Sequence, residues 1–232
     1  MNKQGKTLFS LAGYYYKILY LLFLISFIAY LSTLSLRPYP LSYIAKIIPL
    51  ICLMFLVINY LGYKKVKFLL AGLVFSAAGD VLLDFKGSSL FVPGLSCFAI
   101  AHLMYILALW AKPDLKKKNL LLIAAFSGYG VVIWSLLFPH LGEMLIPVTI
   151  YILLITLMGI SASTGIMSST LMIVGAALFV ISDSVIAINM FLFKVHNSSF
   201  WIMVTYFPAQ FLITYGYCKP FVSINNRLSK IF

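Results

Sequence analysis

Apolar stretches close to twenty residues long follow one another along this chain. Short polar interruptions separate them, at RPYP, GYKKVK, FKGS, KPDLKKK, PHLG, TGIMSS and KVHNSS. About twenty apolar residues in α-helical form cross the hydrocarbon core of a bilayer. The pattern therefore predicts eight spans, at 17–36, 41–61, 66–84, 89–111, 119–138, 143–163, 170–193 and 200–218. The interruption near 164–169 is the weakest of the set because it carries no charge. The first run follows MNKQGK and looks like a signal peptide. The stretch from Ile18 to Leu36 is long enough to span, however, and no small-x-small cleavage site follows it, so it reads as the first span. No segment is long or polar enough for a separate soluble domain. The expectation is an all-α, polytopic integral membrane protein with residues 1–232 as a single membrane domain.

Composition agrees with the pattern. The chain is 63% apolar and 9% charged, against about 45–50% and about 25% for soluble domains. The basic residues then orient the spans. With eight spans, Lys3, Lys6, Lys17, Lys64, Lys65, Lys67, Lys112, Lys116, Lys117, Lys118, Lys219, Arg227 and Lys230 share one side, and only Arg37, Lys46, Lys86 and Lys194 fall on the other. The positive-inside rule puts both termini in the cytoplasm, and a bacterial inner membrane is the expected location. The net charge of +12 is then mostly a cytoplasmic face apposed to anionic lipid. Nucleic-acid binding, which would need basic residues interleaved with aromatics on a soluble face, is not expected. Cys52, Cys97 and Cys218 lie in or at the ends of apolar runs and match no metal spacing, so they read as small core residues.

Against this background the ionisable residues inside spans stand out, because each is costly in hydrocarbon. Only five acidic residues occur, and SAAGDVLLDF (76–85) holds two of them, Asp80 and Asp84. Asp183 lies in LFVISDSVIA, Lys46 near the start of the second span, His102 in the fourth, Tyr151 in the sixth, and Tyr206 and Gln210 in the eighth. Helical rise puts Asp80 roughly 6 Å, Lys46 roughly 8 Å, Tyr206 roughly 9 Å, Gln210 roughly 15 Å and Asp183 about 9–15 Å from the lysine-poor end. These residues are expected to share one cavity in the outer half of the bilayer. Ser76, Asp80 and Asp84 fall on one helix face, as do Tyr206, Gln210 and Thr214. Gly79 and Gly175 permit close helix approach. AAGDVLL and VISDSVI align at an offset of 103 residues, which also lays the second span over the sixth and the fourth over the eighth. That suggests a four-plus-four repeat with the two aspartates facing each other. More ordinary roles compete. Asp84 reads as an interfacial residue, solvated or paired with Lys86. Lys46 either snorkels or neutralises Asp80, His102 also fits a hydrogen-bonded core histidine, Tyr151 also suits an interface, and His140 and His196 read as surface residues.

Two carboxylates in a low-dielectric cavity do not easily both ionise. One as neutral acid and one as anion would suit proton-coupled transport, or acid-catalysed cleavage of a bond with a cationic transition state. A zinc hydrolase is disfavoured: only His102 among the histidines lies within a span, and catalytic zinc usually takes three protein ligands. Neither a metal nor another cofactor is expected.

KIIP (46–49), GDVLL (79–83), FAIAHLMY (98–105), PVTIY (147–151), GAALFVISDS (175–184) and YFPAQFLITYG (206–216) occur in an order that resembles the YhhN family of integral membrane proteins, whose characterised members are lysoplasmalogenases. The resemblance covers roughly residues 40 to 217. It departs at one point: the family commonly has Lys-Pro-x-Pro, where this chain has Lys46-Ile47-Ile48-Pro49. Asp84 lies outside the family pattern. The resemblance implies hydrolysis of the vinyl ether bond of a lysoplasmalogen to a fatty aldehyde and a glycerophospho-headgroup. On that expectation Asp80 and Asp183 are catalytic, one protonating the β-carbon and the other stabilising the cation and activating water. Asp183, the deeper, is the expected acid because burial penalises the charged form. Lys46 would attract the headgroup phosphate, and His102, Tyr151, Tyr206 and Gln210 would position lipid or water. The rival expectation is a proton-coupled transporter or lipid carrier using the same carboxylates.

Overall fold

Inside hydrocarbon a backbone amide has no water to bond, so each apolar run must satisfy its own N–H and C=O groups by coiling. A computed structural model describes residues 3–37, 39–61, 63–85, 90–110, 117–165 and 168–231, with side chains between 15 and 219 except at 60, 61, 63–65, 117 and 118. Among the described residues there is no strand. The eight helices are α1 (Lys3–Thr33), α2 (Ser42–Leu61), α3 (Tyr63–Asp84), α4 (Phe91–Leu109), α5 (Lys117–Leu137), α6 (Leu145–Thr164), α7 (Thr170–Phe191) and α8 (Ser198–Ile231). They correspond one to one with the eight predicted spans. The two outer helices run beyond the apolar stretch, α1 beginning before residue 17 and α8 continuing past 218. Short 3-10 turns at Leu34–Leu36, Phe138–His140 and Gly142–Met144 connect helices at the lysine-poor end.

Among the described residues, seven helices, α1 to α7, are long and apolar enough to cross a membrane. The chain is therefore a multi-pass integral membrane protein. The eighth helix is not among those seven. Its hydropathy is lowered by Tyr206, Pro208, Gln210 and Thr214, and three of these are buried against other helices.

Packing divides the bundle into a tight interior and two peripheral helices. In the spans of α1 and α5, 17% and 11% of positions are buried, against 33–44% in the other five. The most extensive contacts are between α3 and α4 and between α7 and α8. Each pair closes on a glycine, at positions 72 and 175, which are 103 residues apart. A Cβ at Gly72 would overlap the Tyr105 ring, and one at Gly175 would lie 3.0 Å from the carbonyl oxygen of Ala209. Without a water-driven hydrophobic effect between helices, such close backbone approach is a main source of cohesion. It brings α3 and α7, the two helices that carry the aspartates, hard against their neighbours.

Candidate active site

Asp80 lies one turn from the lysine-poor end of α3 and is fully enclosed, with 1% of its surface exposed. Lys46 on α2 reaches it with an ion pair of 2.9 Å from Nζ to Oδ1, and the same Nζ donates to the Asp80 carbonyl oxygen at 3.3 Å. Tyr206 on α8 donates to Oδ2 at 2.7 Å. Lys46 is itself buried, so of its two expected ordinary roles it takes the counter-ion and does not snorkel.

Asp183 on α7 has a different set. Tyr151 on α6 donates a hydrogen bond to its Oδ2. His102 Nε2 on α4 lies 3.3 Å from the same oxygen and 3.0 Å from the Tyr151 hydroxyl. His102 is fully buried. Both partners converge on Oδ2, and among the described residues no hydrogen bond reaches Oδ1.

The two clusters obey the 103-residue offset. Asp80 is held from α2 and α8, and Asp183 from α6 and α4, which are the helices that correspond when α3 is laid over α7. The repeat seen faintly in the sequence thus reappears in which helices grip each carboxylate.

The two aspartates nevertheless do not meet. No hydrogen bond joins them among the described residues, and the Phe179 ring stands between their partners, 4.8 Å from His102 and 5.4 Å from Tyr206, centroid to centroid. The expected single shared cavity is replaced by two sites. The reason is helix rotation: α3 turns Asp80 toward α2 and α8, whereas α7 turns Asp183 toward α4 and α6.

The Asp183 site borders free space, whereas Asp80 is enclosed. A cleft bounded by the end of α3 and by α4, α5, α6 and α7 encloses about 680 Å³, counted out to its open mouth. Its walls include Leu83, Phe91, Leu95, Phe98, Ile133, Val148, Ile152, Ala187 and Phe191, with Asp183 as its one carboxylate and no Lys, Arg or His. Tyr151, Tyr129, Thr156 and Ser184 supply hydroxyls. Phe91 and Phe191, with ring centroids 6.2 Å apart, mark its lysine-poor end. Asp183 precedes Phe191 by eight residues, roughly 12 Å along the helix. Asp80, Lys46, Tyr206, His102 and Gln210 do not line the cleft.

Gln210 belongs to neither carboxylate. Its Oε1 accepts from Tyr105 at 2.6 Å, and the Tyr105 oxygen lies 3.4 Å from Ser76 Oγ. Tyr105 was not singled out in the sequence, although it follows His102 by three residues on the same helix face. Asp84 pairs with Arg37 and accepts from Ser42. This tie holds the α1–α2 connection to the end of α3. Lys86, the partner expected for Asp84, lies outside the described residues. His140 and His196 are exposed, as expected. Among the described residues, no group of three His, Cys, Asp or Glu side chains is assembled that could hold a metal ion.

Comparison with known proteins adds names to this geometry. The chain is 36% identical to lysoplasmalogenase TMEM86A of Homo sapiens over 131 residues, 54% of this chain and 53% of that protein. It is 35% identical to lysoplasmalogenase TMEM86B of Homo sapiens over 117 residues, covering 50% and 49%. It is 33% identical to a lysoplasmalogenase of Mycobacterium tuberculosis over 103 residues, covering 41% and 39%. The chain spans about half the length of the curated relatives it matches. No solved structure matches it. Residues 41–217 match the YhhN family; that stretch runs from the start of α2 into α8 and contains every side chain of both carboxylate clusters, and the chain belongs to this family.

Proposed function

We propose that this chain hydrolyses the vinyl ether bond of a lysoplasmalogen within the membrane, with Asp183 as the proton donor. One observation carries the reading. Asp183 lies in the wall of an apolar cleft, with Oδ2 held by Tyr151 and His102 and Oδ1 without a protein partner among the described residues. A carboxyl group so held can present a proton from Oδ1 to a carbon atom in the cleft. The relatives named lysoplasmalogenase support the same chemistry.

The reaction begins with a proton moving from Asp183 Oδ1 to the β-carbon of the vinyl ether, whose π electrons form the new C–H bond. The α-carbon and ether oxygen then share an oxocarbenium charge. The Asp183 carboxylate left behind stabilises that cation at short range, which is worth far more in hydrocarbon than in water. The hydrogen bond from Tyr151 in turn stabilises the carboxylate, and His102 Nε2 lies against the same oxygen. Water adds to the α-carbon and returns its proton to Asp183. The hemiacetal collapses to the fatty aldehyde and the free glycerol hydroxyl.

Asp80 takes a supporting part in this scheme. With Lys46 and Tyr206 it forms a compensated ion pair that fixes α2, α3 and α8. Tyr206 then backs Phe179, and Phe179 backs His102. Lys46 serves this pair instead of a substrate phosphate. The lysine-rich end faces the cytoplasm on the positive-inside rule, which puts the end of the cleft marked by Phe91 and Phe191 toward the other side. A proton-coupled carrier using the same carboxylates would need a polar route through the bundle. The apolar residues flanking Asp183 in the cleft, Ile155 and Val180 among them, favour hydrolysis.

The test is fatty aldehyde release from a lysoplasmenyl phospholipid by purified protein in detergent, with Asp183→Asn and Asp80→Asn run in parallel. The expected result is release by the unaltered protein and its near abolition in folded Asp183→Asn. Equal release by folded Asp183→Asn would overturn the assignment of the acid.

A further inference from the structure

Hydrolysis needs water as well as a proton, and the cleft is nearly all hydrocarbon. Its polar atoms fall into two groups. One is the acid group of Asp183 and Tyr151. The other is a set of hydroxyls from three helices: Tyr129 on α5, Thr156 on α6 and Ser184 on α7. Tyr129 donates to Ser184 Oγ at 3.0 Å, and Ser184 donates to the carbonyl oxygen of Val180 at 2.7 Å. The Ser184 hydrogen is thereby committed to a helix carbonyl one turn back, which fixes the rotor and leaves its second lone pair directed away from both bonds. Thr156 completes the set because Gly130 lets α5 approach: a Cβ at Gly130 would lie 2.5 Å from Thr156 Oγ1. Ser184 is also the residue after Asp183, so nucleophile-holding and proton-donating groups sit on adjacent positions of one helix.

Building on the hydrolase reading, we infer that Ser184 and Tyr129, with Thr156 beside them, position the water that captures the oxocarbenium ion. Ser184 Oγ accepts a hydrogen bond from that water and aims its oxygen at the α-carbon. The water oxygen forms the new C–O bond, and its second proton passes to the Asp183 carboxylate. The hydroxyls are not consumed. They act on the nucleophile and not on the protonation step, and this distinguishes them from Asp183.

The experiment is nucleophile partitioning. Turnover of a lysoplasmenyl phospholipid in dilute aqueous methanol gives fatty aldehyde when water captures the cation. When methanol does so, it gives a methyl mixed acetal that keeps the glycerophospho-headgroup, its proton also going to Asp183. The ratio of the two products is set within each turnover, so it does not depend on how much of a variant is folded. Ser184→Ala and Tyr129→Phe each remove one hydroxyl of the set, and because capture follows protonation their effect is read in the product ratio. The acetal-to-aldehyde ratio should rise severalfold toward that of the uncatalysed reaction in the same solvent. An unchanged ratio in both variants, with aldehyde still released by the unaltered protein, overturns this inference and leaves the hydrolase reading standing. Absence of any aldehyde from the unaltered protein sinks both.

Discussion

Tyr206 donates a hydrogen bond to Asp80 across 2.7 Å, and the ring that carries this hydroxyl stands edge-on to Phe179, centroids 5.4 Å apart. A polar contact in one half of the bundle is thus coupled mechanically to the aromatic packing behind His102 in the other. The coupling starts from a buried charge pair. Lys46→Met would leave the Asp80 carboxylate enclosed with a single neutral donor, and breaking a buried pair costs about 3–5 kcal/mol. Asp80→Leu combined with Lys46→Met removes both charges and should cost less than the two single changes added together. Unfolding titrations in mixed detergent on the three variants measure this, and strict additivity would mean that the pair has no energetic coupling.

Asp183→Asn keeps the side-chain volume and the hydrogen-bond acceptor for Tyr151 but has no acidic proton. Aldehyde release should fall by about 10²–10⁴, the range for loss of a general acid, with helical circular dichroism unchanged. Tyr151→Phe removes the hydroxyl that donates to Oδ2 and should cost about tenfold. The ordering of the two variants is the informative result.

The α7–α8 contact should be intolerant of even one methyl group. At Gly175 a Cβ would come within 3.0 Å of backbone atoms of Ala209 and Ile213, which cannot swing aside as a side chain can. Gly175→Ala is expected to lower stability by about 1–3 kcal/mol. Gly128 on α5 offers the contrast, because a Cβ there meets nothing within 4 Å. Gly128→Ala should be neutral or stabilising by up to about 1 kcal/mol through helix propensity alone. Thermal unfolding of the two variants side by side gives the comparison.

The Arg37–Asp84 pair closes the lysine-poor end of the bundle. The Asp84 side chain is 1% exposed and that of Arg37 23%. Arg37→Met would leave the carboxylate with Ser42 as its remaining partner, at a cost of about 1–3 kcal/mol. The 34–41 connection should then become more sensitive to limited proteolysis, and cleavage at the rate of the unaltered protein would show that the pair contributes nothing there.

Much of this protein follows from local sequence. The length and apolarity of each run determine that it coils and crosses a membrane, because an unpaired backbone in hydrocarbon has no alternative partner. Asp80, Asp183, Lys46 and His102 declare themselves by the cost of placing ionisable groups among leucines and valines. The 103-residue offset is also legible, and it carries over to which helices hold each aspartate. What tertiary structure alone decided is the rotation of each helix about its axis. In a bilayer the lipid-facing and protein-facing sides of a helix are both apolar, so hydropathy gives almost no signal for direction. That rotation gave Asp84 to Arg37, closed Lys46 onto Asp80, joined Tyr105 to Gln210, and turned Asp183, with Ser184 beside it, toward the apolar cleft between α4, α5, α6 and α7. Close contacts at small residues such as Gly72 and Gly175 set it, and their effect appears only when the facing helix is in place.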